Sequence, residues 1–472
     1  MPRPALPDLS RRRFIGQACC AAVGATGFLS SLASLRLMGA AASPGNTLVG
    51  AASTASDYKA IVCLFLNGGN DANNLIIPAD AAGYAAYAAA RSNLALPQAG
   101  LLPITPRTAG GTWALHPSLA EIHSLFGAGK AALMANVGTL VYPTTLAQYN
   151  ATSVPLPPQL YSHADQQVQW QSSVPDQPAV TGWGGRLADL VNASNSNNQL
   201  SMSISLAGTN FFQVGKQVSE YDISPSGAVT FSGTTGGNNP LRYTTQKALF
   251  AQSQPALFNT AFAGLSSGAI ANSDLVNTVL ASAPALTTTF PATSLGTQLQ
   301  MAAKLISTSA SFGLKRQIFF CQVGGYDLHA AQVDPTNPDN GAHATLFQQL
   351  SQALNAFYNA TVELGVANQV TTFTASDFGR TYSSNGSGSD HGWGNHQLIV
   401  GGAVQGGDIY GKMPTLTIGG PDDTGRGRWV PTTSVDEYSA TLASWFGVSA
   451  TDLATVLPNI GRFAHPNLGF LG

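Results

Sequence analysis

The sequence predicts an α/β fold with a mostly parallel central sheet and helices on both faces of that sheet. Three segments, 60–66, 317–323 and 369–374, are continuous apolar runs without alternation. Such runs are typical of strands that are covered on both faces. Each run ends in a polar turn, and helical periodicity precedes the third run. This order of strand, loop, helix and strand predicts a parallel α/β sheet.

The first and second predicted strands lead into similar turns, N-G-G-N-D at 67–71 and G-G-Y-D at 324–327. Glycine adopts positive φ at little cost, so a Gly-Gly turn lets the chain leave the sheet sharply. Each turn then directs a carboxylate, Asp71 or Asp327, toward the crevice beyond the strands. The alternative is a tight turn in which Asp is favoured for its local hydrogen bonds.

A further strand is predicted at 131–137, after a helical stretch in which Leu119, Ile122 and Phe126 are spaced for one face. Helical periodicity over 344–364 comes directly before the strand at 369–374. Open α/β sheets bind ligands beyond the carboxyl ends of their strands. The polar residues that follow the predicted strands are therefore the candidate site.

The densest group of ionisable residues lies between 374 and 396, around a glycine-rich turn. The chain as a whole is poor in charge, with only 9% Asp, Glu, Lys and Arg. Nitrogen and oxygen donors clustered against that background favour a metal or phosphate site. A polar loop whose histidines only make hydrogen bonds is the alternative. The group comprises Asp377, Arg380, Asp390, His391 and His396.

Four carboxylates converging at this edge of the sheet would be unfavourable without a cation. We therefore expect one or two divalent ions, Zn or Mn, bound by aspartates and histidines. Two ions would stabilise the entering and leaving oxygens of a phosphoryl or sulfuryl transfer. Arg380 could clamp a nonbridging oxygen or, alternatively, pair with Asp377. The predicted ligands are Asp71, Asp327, His329, Asp377, Asp390, His391 and His396.

The predicted nucleophile is Ser162, in the segment L-Y-S-H-A-D-Q-Q at 160–167, if a metal lowers the pKa of its hydroxyl. His163 is then a metal ligand or a general acid. The alternative is a serine that caps a helix, with His163 as its neighbour. The remaining histidines are predicted to be structural: His116, His123, His343 and His465.

Residues 1–42 have the pattern of a twin-arginine export signal. The run S-R-R-R-F-I precedes a weakly hydrophobic stretch that ends in small residues, so cleavage is expected near Ser43. We expect passage through the twin-arginine export machinery to the periplasm or the exterior. No later apolar run is long enough for a membrane span. A formal net charge of −2 and few lysines exclude nucleic acid as a partner.

The mature chain, 43–472, is predicted to form a single domain with an insertion at about 192–300. Polar tracts of Asn, Ser, Gly and Thr flank Ala- and Leu-rich helical segments there, with hardly any charge. The insertion could be a lid or a cap that faces the substrate, or a loop region without function. Cys63 and Cys321 lie in predicted strands, so we expect buried thiols rather than a disulfide.

Several motifs occur in one order along nearly the whole mature chain: L-F-L-N-G-G-N-D, Y-S-H-A-D-Q-Q, G-G-Y-D-L-H, S-D-F-G-R-T and D-H-G-W-G-N-H. That order resembles the DUF1501 family of exported bacterial proteins, which looks related to the alkaline phosphatase and sulfatase superfamily. The resemblance implies an alkaline-phosphatase-like α/β sandwich with two metals and with Ser162 at the position of the nucleophile. It also implies six of the ligands: Asp71, Asp327, His329, Asp390, His391 and His396.

The chain departs from that superfamily pattern in two places. Only Leu328 separates Asp327 from His329, where the superfamily usually has three residues. His396 also follows His391 much more closely than the last histidine of the superfamily does. The leading hypothesis is an exported metal-dependent hydrolase of phosphate or sulfate esters, with a small-molecule or glycan ester as substrate. The alternative is a non-catalytic envelope protein that keeps the fold to bind a glycan or a partner protein.

Overall fold

The computed structural model describes residues 58–196, 200–228, 236–252 and 257–472. The predicted export signal at 1–42 therefore lies outside the described residues. The chain divides into two compact units. The described part of the larger unit comprises 58–196, 200–228 and 274–472, and that of the smaller unit comprises 236–252 and 257–273.

The strands of the described residues, in chain order, are β1 (Lys59–Leu66), β2 (Ile76–Pro78), β3 (Leu102–Ile104), β4 (Trp113–Leu115), β5 (Ala131–Gly138), β6 (Ser203–Ser205), β7 (Tyr221–Asp222), β8 (Arg316–Val323), β9 (Val370–Ser376), β10 (Asn395–Gly401), β11 (Ile409–Tyr410) and β12 (Thr433–Ser434). The central sheet has the order β11-β5-β10-β9-β1-β8-β6-β7, and β12 also pairs with β5. Only β10 runs antiparallel to its neighbours, β5 and β9. The predicted α/β class with a mostly parallel sheet is confirmed.

The described helices are α1 (Ala81–Arg91), α2 (Ala120–Gly127), α3 (Leu146–Ala151), α4 (His163–Ser172), α5 (Trp183–Val191), α6 (Asn239–Phe250), α7 (Leu257–Ala281), α8 (Ser294–Ser307), α9 (Ala342–Glu363), α10 (Val435–Phe446) and α11 (Leu453–Val456). Strands β2, β4 and β3 form a separate small antiparallel sheet. Among these helices, none combines the length and the apolar character that crossing a membrane requires.

Strand β1 lies near the middle of the sheet and is buried from its second residue onward. Its last residue, Leu66, is level with Val323 of β8 on one side and with Ser376 of β9 on the other. The three strands therefore end together, and the turns that follow them meet at one edge. This register brings Asp327 and Asp377 to the same edge of the sheet.

Most of the predicted elements are confirmed: β1, β5, β8, β9, α2 and α9 all lie within a few residues of their predicted bounds. Strand β10 was not predicted. It begins at Asn395, inside the polar run that the sequence assigns to the site. Because β10 is antiparallel to β9, its first residues lie at the edge where β9 ends.

The Gly-Gly turn after β1 is required by a close approach of two backbones. Gly68 has a φ of +118°, and a Cβ atom at this residue would lie 2.4 Å from the backbone nitrogen of Asp327. Only glycine fits such a contact. The turn after β1 thus packs directly against the backbone of Asp327.

The predicted insertion at about 192–300 includes parts of the central sheet, because β6 pairs with β8 and β7 pairs with β6. Within the smaller unit, the rings of Phe250 and Phe262 pack edge to face at 5.8 Å.

The two cysteines of the larger unit are buried and free. Cys63 is level with Phe320, and Cys321 with Leu64, so the two thiols point to opposite faces of the sheet.

Candidate metal centre

The Asp327 carboxylate contacts three other candidate site residues, Arg380, His391 and His163. Asp327 follows β8, and its carboxylate is 46% exposed. Its Oδ1 atom accepts a hydrogen bond from Nη1 of Arg380 at 2.7 Å and lies 3.3 Å from Nε2 of His391. Its Oδ2 atom lies 3.5 Å from Nε2 of His163. Burial alone would raise the pKa of Asp327, but the Arg380 guanidinium outweighs it and lowers that pKa, so the carboxylate is ionised.

His163 is the first residue of α4, and its ring is oriented by Asp377, the buried residue after β9. Nδ1 of His163 lies 2.6 Å from Oδ2 of Asp377. Because a carboxylate oxygen accepts, Nδ1 carries a hydrogen, and in the neutral ring Nε2 is the nitrogen with the lone pair. This Nε2 is buried and has no hydrogen-bond partner among the described residues. Asp377 is itself held by the backbone N–H of Gly68 and by Nε2 of Gln167.

His391 is oriented in the same way by a backbone carbonyl. Its Nδ1 lies 2.7 Å from the carbonyl oxygen of Tyr161 and therefore carries a hydrogen. Its Nε2 faces Oδ1 of Asp327 at 3.3 Å, and in the neutral ring this nitrogen has the lone pair. Partial burial lowers the pKa of His391, and the nearby Arg380 contributes. The neutral imidazole that metal binding requires is therefore the favoured form. The segment 161–163 thus orients the imidazole of His391 and carries that of His163.

An antiparallel bridge between Arg380 and His391 holds the connection from β9 to β10 in place. The Gly392 N–H donates to the Gly379 carbonyl at 2.7 Å beside this bridge. The Arg380 guanidinium is buried and donates to the Gly68 carbonyl and to Ser389 as well as to Asp327. Arg380, the predicted oxygen clamp, therefore holds the Asp327 carboxylate instead of facing solvent.

His329 borders the group on its exposed side. Its Nε2 lies 2.9 Å from Nε2 of His391, and its Nδ1 lies 3.1 Å from Oδ1 of Asp390. Partial burial would raise the pKa of Asp390, but hydrogen bonds from Asn385, His329 and Arg426 lower it to about 2. Asp390, a predicted ligand, is thus an anion that orients His329.

One nitrogen each from His163 and His391 and one oxygen from Asp327 lie within 4.8 Å of one another. A tetrahedral ion bound at about 2.0–2.1 Å has ligand atoms about 3.3 Å apart. Oδ1 of Asp327 lies 3.3 Å from Nε2 of His391, and Oδ2 lies 3.5 Å from Nε2 of His163, so each imidazole is near that spacing from a different oxygen of the same carboxylate. Two histidines and one carboxylate with solvent access suit Zn or Mn and leave coordination positions open. The donor set and the unpartnered Nε2 of His163 therefore fit one divalent cation.

Two of the predicted ligands, Asp71 and His396, neither belong to this donor set nor bond to a residue of it. Asp71 is buried in an ion pair with Arg91 and accepts a hydrogen bond from Gln332 at 2.5 Å. Its charge is therefore compensated by a guanidinium. His396, the second residue of β10, is buried and accepts the Asn136 N–H at Nδ1 at 3.0 Å. Burial lowers the pKa of His396 to about 4, so it is a neutral strand residue.

Ser162 stands directly before His163, but its hydroxyl is bonded elsewhere. Its Oγ donates to Oδ2 of Asp165 at 2.5 Å. The alternative for Ser162 was a serine that caps a helix. Ser162 does occupy the cap position of α4, but its side chain makes no hydrogen bond to the helix backbone. The role of Ser162 as nucleophile stays a prediction.

Arg426 and Arg428 were missed by the sequence reasoning. Arg426 pairs with Asp390, and Arg428 donates from Nε to the His391 carbonyl at 2.7 Å. Within the contacts named in this section, three guanidinium groups and three carboxylates balance in charge. A divalent ion would leave the centre with two positive charges. The groups concerned are Arg380, Arg426, Arg428, Asp327, Asp377 and Asp390.

A family model described as "Protein of unknown function (DUF1501)" matches residues 58–424. No curated protein matches the sequence. Among solved structures, Ps i-CgsB in complex with k-i-k-neocarrahexaose aligns with a TM-score of 0.35 and 11% identity, over 87% of this chain and 78% of that one.

Two further solved structures resemble this chain only distantly. PsFucS1 sulfatase from Pseudoalteromonas aligns with a TM-score of 0.35 and 9% identity, over 84% of this chain and 69% of that one. A mutant of the alkaline phosphatase PafA aligns with a TM-score of 0.28 and 12% identity, over 69% of this chain and 64% of that one.

Proposed function

Because this chain belongs to the DUF1501 family, whose description names no function, we propose a function from the site itself: an exported metal-dependent hydrolase of phosphate or sulfate esters. One observation carries the proposal. A ring nitrogen of His163, a ring nitrogen of His391 and a carboxylate oxygen of Asp327 lie within 4.8 Å of one another, and a hydrogen-bond acceptor fixes each ring. Carboxylate and carbonyl partners of this kind are typical of metal-binding histidines.

In such a reaction, the residues of the chain would hold the metal ligands in position and set the charge of the site. Arg380 holds Asp327, Asp377 holds His163, and the Tyr161 carbonyl holds His391. A bound divalent ion would lower the pKa of a water molecule and polarise an ester oxygen. Because the Asp327 side chain is nearly half exposed, a substrate in solution can reach this face of the site.

The charge of the site favours an anionic substrate. Its three arginines balance its three aspartates, so a divalent ion would leave a positive centre. Phosphate and sulfate esters carry the opposite charge, whereas a neutral ester gains nothing from this field. This argument supports the ester class without choosing between phosphate and sulfate.

Water is the nucleophile in this proposal, because the Ser162 hydroxyl already donates a hydrogen bond to Asp165. The predicted export signal places the reaction in the periplasm or outside the cell. The arginine-rich run at its start lies outside the described residues, so export is part of the proposal.

Elemental analysis of protein purified without a His-tag tests the metal centre. We expect about one equivalent of Zn or Mn in the wild type and in His465→Ala, whose side chain is exposed. We expect its loss in His163→Ala, His391→Ala and Asp327→Asn, with circular dichroism showing that each variant is folded. No metal in the wild type, and none taken up on titration, would overturn the proposal.

An activity screen separates the hydrolase from the binding-protein alternative. Metal-loaded protein is assayed with 4-nitrophenyl phosphate and 4-nitrophenyl sulfate, and His391→Ala is the control. Hydrolysis that disappears in His391→Ala supports the proposal. Stoichiometric metal without hydrolysis of a broad panel of phosphate and sulfate esters would favour a non-catalytic protein that binds a glycan or a partner.

A further inference from the structure

A rigid turn presents Arg426 beside the metal centre. Residues Asp423 and Trp429 form an antiparallel bridge at the base of this turn. Oδ1 of Asp423 accepts the N–H groups of Gly425 and Gly427, both at 2.7 Å. The turn is therefore held from within by a side chain.

Arg426 has a φ of +61°, in the left-handed region that side chains other than glycine rarely adopt. The glycines on both sides of it also have positive φ. Such strain persists only where the surrounding structure enforces it, and it concentrates at functional sites. The turn therefore keeps an arginine at a position that glycine would occupy more readily.

Two hydrogen bonds hold the guanidinium of Arg426 and leave it with further N–H donors. It donates to Oδ2 of Asp390 and, at 3.3 Å, to the Ser384 carbonyl. These described contacts use two of the five N–H groups of an arginine, and the side chain is 43% exposed. Through its other oxygen, Asp390 binds His329, whose Nε2 faces the ligand group. Arg426 thus stands on the solvent side of the centre.

We propose that Arg426 is a specificity-determining residue that binds an oxygen of the substrate's phosphate or sulfate group. This inference rests on the proposed function. The planar fork of a guanidinium matches two oxygens of such a group. Arg380 is less suited, because it is buried and bonded to carbonyl and carboxylate oxygens. Arg428 is also engaged, since it stacks on the Tyr161 ring and donates to the His391 carbonyl.

The test measures anion binding by isothermal titration calorimetry, with inorganic phosphate and inorganic sulfate as probes and Zn-loaded protein. The variants are Arg426→Gly, Arg426→Lys and, as a surface control, Arg107→Gln. We expect Arg426→Gly to raise the Kd about 10- to 100-fold, as loss of a charge-assisted hydrogen bond does. Arg426→Lys should show a smaller rise, because it keeps the charge and loses the fork.

Two further readouts separate binding from folding. Metal content should be unchanged in Arg426→Gly, and its Tm should not fall, because glycine adopts the required φ. With an ester substrate, KM should rise while kcat changes little. An unchanged anion Kd in Arg426→Gly, or loss of its metal, would overturn the inference. So would wild-type protein that holds metal but binds neither anion. Wild-type protein without metal would instead remove the proposed function.

Discussion

Nδ1 of His163 lies 2.6 Å from Oδ2 of Asp377, and this contact decides which ring nitrogen faces the candidate metal centre. Asp377 is fully buried and is fixed by the Gly68 N–H at 3.0 Å. The carboxylate therefore acts on the centre through His163. A ligand role for Asp377 itself would require it to release that ring.

Asp377→Asn should weaken metal binding while preserving the fold. An amide can offer N–H to Nδ1 of His163, which favours the tautomer that protonates Nε2. Loss of such a partner typically costs 10- to 100-fold in metal affinity. Competition with a chromophoric chelator measures the Kd, and Asp165→Asn on the first turn of α4 is the matched control. Equal affinity in Asp377→Asn and wild type would contradict the orienting role.

Ser162→Ala should keep its metal and lose less than about tenfold in kcat, because the Ser162 hydroxyl is bonded to Asp165. Removing an essential nucleophile lowers kcat by far larger factors, about 10⁶-fold in a serine hydrolase. Steady-state kinetics with the best ester from the screen measures the change. A loss greater than a thousandfold, with full metal content, would establish Ser162 as the nucleophile.

His396→Leu should lower stability and leave the metal in place. The substitution removes the acceptor of the buried Asn136 N–H. An unsatisfied buried donor costs about 1–3 kcal/mol. Urea unfolding gives the free-energy change, and elemental analysis of the same sample gives the metal. Loss of metal from a folded His396→Leu protein would restore the ligand role that the sequence predicts.

Acid should destabilise the protein through the buried His343. Burial lowers the pKa of His343 from 6.5 to about 4, although Asp71 opposes the shift. The unfolded chain therefore takes up this proton first as the pH falls. The contribution is complete above pH 6.5 and is lost as the pH falls toward 4, by about 3 kcal/mol in all.

Urea unfolding at pH 7.5 and pH 4.5 measures that loss in the wild type and in His343→Phe. The ring of His343 lies 4.1 Å from that of Phe347, so phenylalanine preserves the aromatic contact. The difference between the two proteins cancels the titrating groups that do not interact with His343; the pKa values of His116 and Asp71 depend on it. An equal loss in both would show that His343 does not carry the effect.

The strands around the site could be predicted because burial on both faces leaves an uninterrupted apolar run. β1, β8 and β9 have that pattern, and their level ends explain why Asp327 and Asp377 meet. Strand β10 escaped prediction because its apolar core, L-I-V, is only three residues long and follows the polar N-H-Q. The sequence consequently groups His396 with the predicted ligands around the glycine-rich turn.

Contacts through the backbone explain what the sequence could not show. The carbonyl of Tyr161 orients His391, and any residue type supplies a carbonyl. The pairing of Asp71 with Arg91 likewise depends on a tertiary contact, between the turn after β1 and the last residue of α1. A signal for Arg426 was available, since an arginine between two glycines indicates a tight turn, but only the structure shows which side chain it meets.

The ligands come from distant parts of the chain, and His391 follows Asp327 by 64 residues. An ion bound there would join the start of α4, the end of β8 and the connection to β10, so it would act as a removable cross-link. The metal site could form only after these strands had paired. Binding of the ion would therefore indicate that folding is complete. At a free ion concentration 100 times Kd, it would add about 2.7 kcal/mol to stability, and a chelator would take that increment away.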